Sequence, residues 1–215
     1  MKSETRFLLI MLGFVVILGA GLAALNFYTR PPQPPEPKPV EIKLSEMLVA
    51  GRPEKGNPNA KVVVVEFSDM QCPSCRRGND TVEQLMLQYE GKIRVIFRHY
   101  PLDIHPKARL FAQAAEAAHR QGKFWEMQNL IFNEQDANEK RLEEFARSLG
   151  LSMEQFRKDM KSKEVQDAIL NDIASARRYG VTSTPTYFLF VGEKGQMIQG
   201  HLNLAAEMQK VIEGD

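Results

Sequence analysis

The sequence predicts an α/β fold: a βαβ unit, a long helical block, then a closing ββα. Three observations carry that prediction. The β-branched run Lys61–Phe67 (KVVVVEF) is bounded by turn residues and reads as a fully buried strand. Val82, Leu85, Met86 and Tyr89 then recur at helical spacing, and Ile93–Phe97 (IRVIF) forms a second strand. A strand, a helix and a strand in succession point to parallel pairing.

The remaining elements follow in order. Val40–Ala50 is a short amphipathic piece, and GRPEKGNPNA after it is rich in turn residues. Pro106 to Arg178 reads as almost wholly helical, with Gly150 and Gly180 as stops. Ser152 and Gln155 are spaced as a capping box. Thr186–Val191 (TYFLFV) is a strand, and a turn at Glu193–Gly195 leads to Gln196–Gln199 as its hairpin partner. Leu204–Ile212 closes the chain as a helix. No internal repeat is visible.

The N-terminus has a different character. Phe7–Leu25 carries no charge over a length that, as a helix, measures roughly 28 Å, close to a bilayer's hydrocarbon thickness. A single transmembrane anchor over residues 1–28 is the expectation. The alternative is a signal peptide cleaved near the small-x-small site Gly21-Leu22-Ala23. Lys2 and Arg6 precede the run while Arg30, Lys38 and Lys43 follow it, so the charge rule orients it poorly. In Pro31–Val40 six of ten residues are proline, which excludes helix and central strand and suggests a polyproline II stalk of roughly 30 Å. The expected organisation is therefore anchor, Pro-rich linker and lead-in over 29–55, and a folded domain over 56–215 with its helical insertion at about 106–178.

Composition narrows the function. With 43% hydrophobic and 26% charged residues the chain is globular, and a formal net charge of +1 gives no reason to expect a nucleic-acid partner. The two cysteines, Cys72 and Cys75, form one C-x-x-C pair. A structural zinc site wants four ligands, and the four histidines (His99, His105, His119, His201) lie scattered without ligand spacing, so no metal is expected. As a structural staple the pair would close a two-residue loop and constrain almost no unfolded-chain entropy. A pair that opens and closes remains. Placed between a buried strand and a helix, Cys72 falls at the helix N-terminus, where unpaired amides and the helix dipole favour a thiolate. Pro73 suits the first helical position, and Cys75, one turn deeper, is the shielded resolving thiol. Arg76 and Arg77 either add positive field or form a solvated face.

On these residues the sequence resembles the DsbA-like branch of the thioredoxin-fold thiol-disulfide oxidoreductases. GNPNAKVVVVEFSDMQCPSC is similar to that family's entry strand and active site, and FRHYPLDIHPKA to the segment after its second strand. VTSTPTYFLF is similar to its cis-proline loop. The resemblance covers roughly Gly56 to Asp215. It implies that Cys72 is the nucleophile and Cys75 its partner, and that Thr184-Pro185 is a cis-proline loop whose backbone pairs with an extended substrate. It also implies a proton-relaying role for Glu66, six residues before Cys72. A glutamate reaching solvent from a strand end is the alternative. One departure stands out: Ser74 occupies the position where the most oxidising members carry histidine. His99 and His105 sit in the post-strand segment and read as structural or surface residues.

The resemblance implies an extracytoplasmic thiol oxidase without a cofactor, tethered as a single-pass protein of the cytoplasmic membrane. The tether is read from Phe7–Leu25 rather than from the resemblance, and the enzyme would act on cysteine-containing exported polypeptides and be reoxidised by a quinone-linked membrane partner of the DsbB or vitamin-K-epoxide-reductase kind. Cytosolic thiols are kept reduced, which suits this placement. A reductase or isomerase on the same fold is the second reading, although Val40–Asn59 is short for an isomerase's dimerisation domain. A non-catalytic chaperone or adaptor is the third, and its activity would survive Cys72→Ala.

Overall fold

The structure is a computed structural model and describes residues 11–14, 16–21 and 42–214. The chain divides into two units, Met1–Val40 and Glu41–Asp215. In the first, residues 11–14 and 16–21 are helical and exposed. The expected anchor Phe7–Leu25 lies partly outside the described residues, and the Pro-rich stretch 31–40 wholly so. Among the described residues no helix is long and apolar enough to cross a membrane.

The second unit is built on six strands, β1 (Ile42–Lys43), β2 (Glu54–Gly56), β3 (Val62–Ser68), β4 (Ile93–His99), β5 (Thr186–Val191) and β6 (Lys194–Gln199), with a short helix, α1 (Leu44–Met47), directly after β1. They form one sheet in the order β1-β6-β5-β3-β4-β2. Only β3 and β4 run parallel, with Glu66 opposite Phe97, as the βαβ reading requires. All seven residues of β3 are buried because helices cover both faces of the sheet. On one face Val62 and Val64 pack against Val82 and Leu85 of α2 (Pro73–Gln88) and against Leu204 and Met208 of α8 (His201–Glu213). The alternate residues Val63, Val65 and Phe67 pack on the other face with Phe188, Phe190 and Ala176. Glu66 and Ser68 therefore share the face of α2.

Between β4 and β5 come five helices: α3 (Ala108–His119), α4 (Phe124–Asn133), α5 (Glu139–Ser148), α6 (Met153–Met160) and α7 (Lys163–Arg178). The alanines 114, 115, 117 and 118 of α3 are fully buried and let neighbouring helices approach closely. Ser152 accepts from the Gln155 amide at 3.4 Å, which is half of the expected capping box. The other half does not form, because the Gln155 side chain turns instead to Asp159 Oδ1 at 2.8 Å and the Ser152 amide donates to Gln121.

The segment 42–55, read from sequence as a lead-in, joins the sheet. β1 pairs with β6 and β2 with β4, both antiparallel. At two and three residues these strands are too short to show a period of two, and only their backbone partners reveal them. The hairpin turn falls at Gly192–Glu193, with Gly192 at φ 63, so β6 starts at Lys194, two residues earlier than expected. A buried ionic cluster ties these parts together. Arg98 on β4 meets Asp172 on α7 at 2.5 Å and the Met47 carbonyl at 3.0 Å. Arg52 reaches Asp172 and Glu116, and His99 meets Glu116 at 3.2 Å. Burial opposes ionisation of Glu116, but His99 and Arg52 hold its pKa below the usual value.

Candidate active site

Cys72 is the N-cap of α2 and Pro73 takes the first helical position, both as the sequence predicts. Proline fits there because its missing amide is one that a helix leaves unpaired. The Cys72 carbonyl accepts from the amides of Cys75 at 3.0 Å and Arg76 at 3.2 Å, opening the helix. Cys72 is 8% exposed while Cys75 is fully buried, so only the first sulfur is open to a partner. Both are free thiols. Arg76 and Arg77 are exposed on the far side of α2.

The two sulfurs differ electrostatically. The Cys75 thiol, acting as a hydrogen-bond donor, holds the Cys72 thiolate at a pKa of about 5. Thr184 and the amides of Ser74 and Cys75 add to this against the opposing cost of burial. Burial and the neighbouring Cys72 push Cys75 well above an ordinary thiol. The Cys75 thiol and helix-terminal amides lower the one, and burial raises the other.

Thr184-Pro185 is a cis peptide bond, and the Thr184 carbonyl accepts from Cys72 Sγ at 3.7 Å. Glu66 is 2% exposed, and burial raises its pKa to about 7, against weaker opposition from Ser68 and Lys55. The strand-end reading of Glu66 as a solvent-facing group is thereby corrected: it points under α2, because β3 is covered on both faces. The structure brings together Cys72, Cys75, Thr184 and Pro185, with Pro73 and Ser74 opening the helix. Glu66 lies on the sheet face below.

Several residues of this site escaped the sequence reading. Asp69, 1% exposed, accepts from the amides of Gln71 at 2.7 Å and Leu102 at 2.9 Å, and from His105 Nδ1 at 2.7 Å. Its own amide donates to Cys75 Sγ at 3.4 Å. His105, read as a lone histidine, therefore belongs to the active-site loop, whereas His99 belongs to the ionic cluster. Gln135, in the loop between α4 and α5, donates to the carbonyls of Met70 at 2.9 Å and Cys72 at 3.2 Å. The helical insertion thus holds the loop that carries the nucleophile. Gly78 is required by close approach, since a Cβ there would collide with Tyr187 Oη and lie 3.3 Å from Pro185 Cγ. No local signal marks Gln135 or Tyr187; both are brought in across more than sixty residues of chain.

A thioredoxin-type sheet with an N-capping cysteine pair and a proline loop opposite it is the site of a thiol-disulfide exchange protein. The thioredoxin family's model matches residues 50–213, and the chain belongs to that family. Its fold is the DsbA-like one. It is similar to a thioredoxin-like oxidoreductase from Silicibacter pomeroyi, at 28% identity and TM-score 0.64, covering 77% of this chain and 92% of that one. It is also similar in fold to BdbD from Bacillus subtilis, at 23% identity and TM-score 0.65, with 81% and 96% covered. Pseudomonas aeruginosa DsbA2 gives 23% identity and TM-score 0.66, with 77% and 97% covered. Among curated proteins, the Na(+)/H(+) antiporter NhaA 3 of Salinispora tropica is 36% identical over 154 residues, 71% of this chain. The match spans only 23% of that relative's length.

Proposed function

We propose that the protein is a membrane-anchored, extracytoplasmic thiol oxidase that introduces disulfides into exported polypeptides through Cys72 and Cys75. The observation that carries this reading is the split between the two sulfurs: an accessible Cys72 whose thiolate is favoured, above a buried Cys75 that keeps its proton. A stabilised Cys72 thiolate is a good leaving group and favours the reduced state, which makes the disulfide an oxidant.

The reaction then runs in two exchanges. A substrate thiolate attacks Cys72 Sγ of the disulfide; the S–S bond breaks and its electron pair goes to Cys75, which takes up a proton supplied by Glu66. A second substrate thiolate attacks the substrate sulfur of the mixed disulfide, and Cys72 departs as the thiolate. The substrate leaves oxidised and the enzyme reduced by two electrons. Thr184 and Pro185 face the Cys72 sulfur and position the extended substrate. Reoxidation falls to a quinone-linked membrane thiol oxidase, for which an anchor over 1–28 and a stalk over 29–40 suit the encounter. Ser74 brings a hydrogen bond but no charge beside Cys72, so the pair is a milder oxidant than one with histidine there.

The test is the reduction potential of the full-length protein in detergent, equilibrated with glutathione buffers. A value near about −120 mV, that of the strongly oxidising DsbA, supports the oxidase. A value near about −270 mV, that of thioredoxin, makes the protein a reductase and overturns the proposed direction.

A further inference from the structure

Three polar atoms are buried without a partner beneath α2 on one face of the sheet: Glu66 Oε1, Ser68 Oγ and Tyr187 Oη. A buried hydroxyl left unpaired is costly, and alanine or phenylalanine would avoid that cost. Ser68 is the one best placed to act. It follows Glu66 by two residues on the same face of β3, and it is 2% exposed. The next amide along the chain, that of Asp69, already touches Cys75 Sγ at 3.4 Å. Ser68 therefore lies on the carboxyl's face of the sheet, next in the chain to the residue that touches the buried sulfur. Tyr187 lies opposite Glu66 on β5 but presses against Gly78, one turn of α2 beyond Cys75.

We propose that Ser68 is the proton-relay residue between Glu66 and Cys75. When the disulfide opens, the Glu66 carboxyl gives its proton to Ser68 Oγ while the Ser68 hydroxyl proton passes to the Cys75 thiolate. Ser68 ends unchanged, Glu66 ends as the carboxylate, and Cys75 ends as the thiol. Closure of the disulfide runs the same transfer backwards. Ser68 lowers the pKa of Glu66 and of Cys75 against the larger effect of burial. The titratable and charged groups around this relay are Cys72, Cys75 and Glu83 on α2, Lys55 on β2, His99 opposite Ser68 on β4, Tyr187 on β5, and Asp69 with His105 at the loop. Lys55 pairs with the partly exposed Glu83.

The relay rests on the redox reading of the cysteine pair, and the experiment separates the two. Oxidised full-length protein is mixed with a reduced dithiol peptide, and the mixed disulfide and products are trapped by acid quench and alkylation from pH 5 to 9. Closure is timed in the same way with reduced protein and the same peptide in its disulfide form, which takes up the two electrons. Per substrate thiolate, the wild-type opening rate falls as pH rises through about 7, where Glu66 loses the proton it must donate. Ser68→Ala slows opening and closure at least about tenfold, within the range of general acid-base catalysis, and flattens that pH profile. Ser68→Thr keeps the hydroxyl and restores the rate. Ser68→Ala combined with Glu66→Gln is no slower than the slower single variant. Wild-type rates and pH profile in Ser68→Ala, equal slowing in Ser68→Thr, or additive slowing in the double variant would each overturn the relay. A wild type with a thioredoxin-like potential sinks the oxidase direction alone, because the relay is still read in the closure rate.

Discussion

Cys72 and Glu66 are two ionisable groups whose surroundings move them in opposite senses, and each has a measurable consequence. The Cys72 thiolate, favoured by the Cys75 thiol and helix-terminal amides, titrates at about 5. Absorbance at 240 nm should therefore show a thiolate midpoint near that pH in the reduced protein, and Cys75→Ala should raise it by removing the donor. Relative to an unfolded thiol at about 8.5, this depressed pKa stabilises the reduced fold fully above the unfolded value. That stability is lost as pH falls through the folded value. Thermal unfolding should thus find the reduced protein more stable than the oxidised one at pH 7, with the gap closing towards pH 4. Glu66 has the reverse sign. Its pKa, raised from 4.5 to about 7, destabilises the fold as pH climbs through that window. Glu66→Gln should match the wild type near pH 4 and exceed it at pH 8 by roughly 3 kcal/mol, the size that a shift of this order implies. Equal denaturant midpoints at pH 8 would refute the buried, penalised carboxyl.

At the scale of elements, the active-site loop is held from outside itself. Gln135 supplies two hydrogen bonds to the carbonyls of Met70 and Cys72, and Asp69 gathers two amides and His105. Gln135→Ala should cost about 1–3 kcal/mol in urea unfolding, since it leaves the buried Met70 carbonyl unpaired. It should also move the Cys72 midpoint upward, because the amides of Ser74 and Cys75 are aimed by the same loop. The junction of α2 with β5 is equally tight. Gly78→Ala should destabilise by about 1–3 kcal/mol, the range for overpacking, and Tyr187→Phe in the same chain should recover part of the loss. Additive effects of the two changes would argue against the collision.

At the scale of the whole molecule, the ionic cluster of Arg52, Arg98, His99, Glu116 and Asp172 fastens the helical insertion to the sheet. Removing one partner of a buried ion pair costs about 3–5 kcal/mol because the other charge stays behind. Asp172→Ala should fall in that range by urea unfolding and leave Arg98, 1% exposed, without its carboxylate. The unit Glu41–Asp215 contains the sheet, the insertion and the cysteine pair. A fragment of those residues should fold with the thiolate midpoint of the whole chain. Cutting instead at residue 56, where the sequence pattern alone would start the domain, removes β1 and most of β2 and should lower its stability.

The amino-acid pattern by itself determined those features whose causes are local. The valine run specified a buried strand, the C-P-S-C stretch specified an N-capping cysteine with proline behind it, and glycines at 150 and 180 specified where helices stop. Each rests on backbone preferences or side-chain spacing within one turn or one strand, so neighbouring residues suffice to read it. Tertiary structure alone decided the rest. β1 and β2 exist because Lys194–Gly195 and Arg94–Ile96 offer them backbone partners, not because Ile42–Lys43 or Glu54–Gly56 favour a strand. Gln135, His105 and Tyr187 became parts of the site because folding carried distant groups to one sulfur pair. Contacts between residues far apart in the chain leave no periodicity behind, and the energies that fix them arise only once water has been excluded from between them.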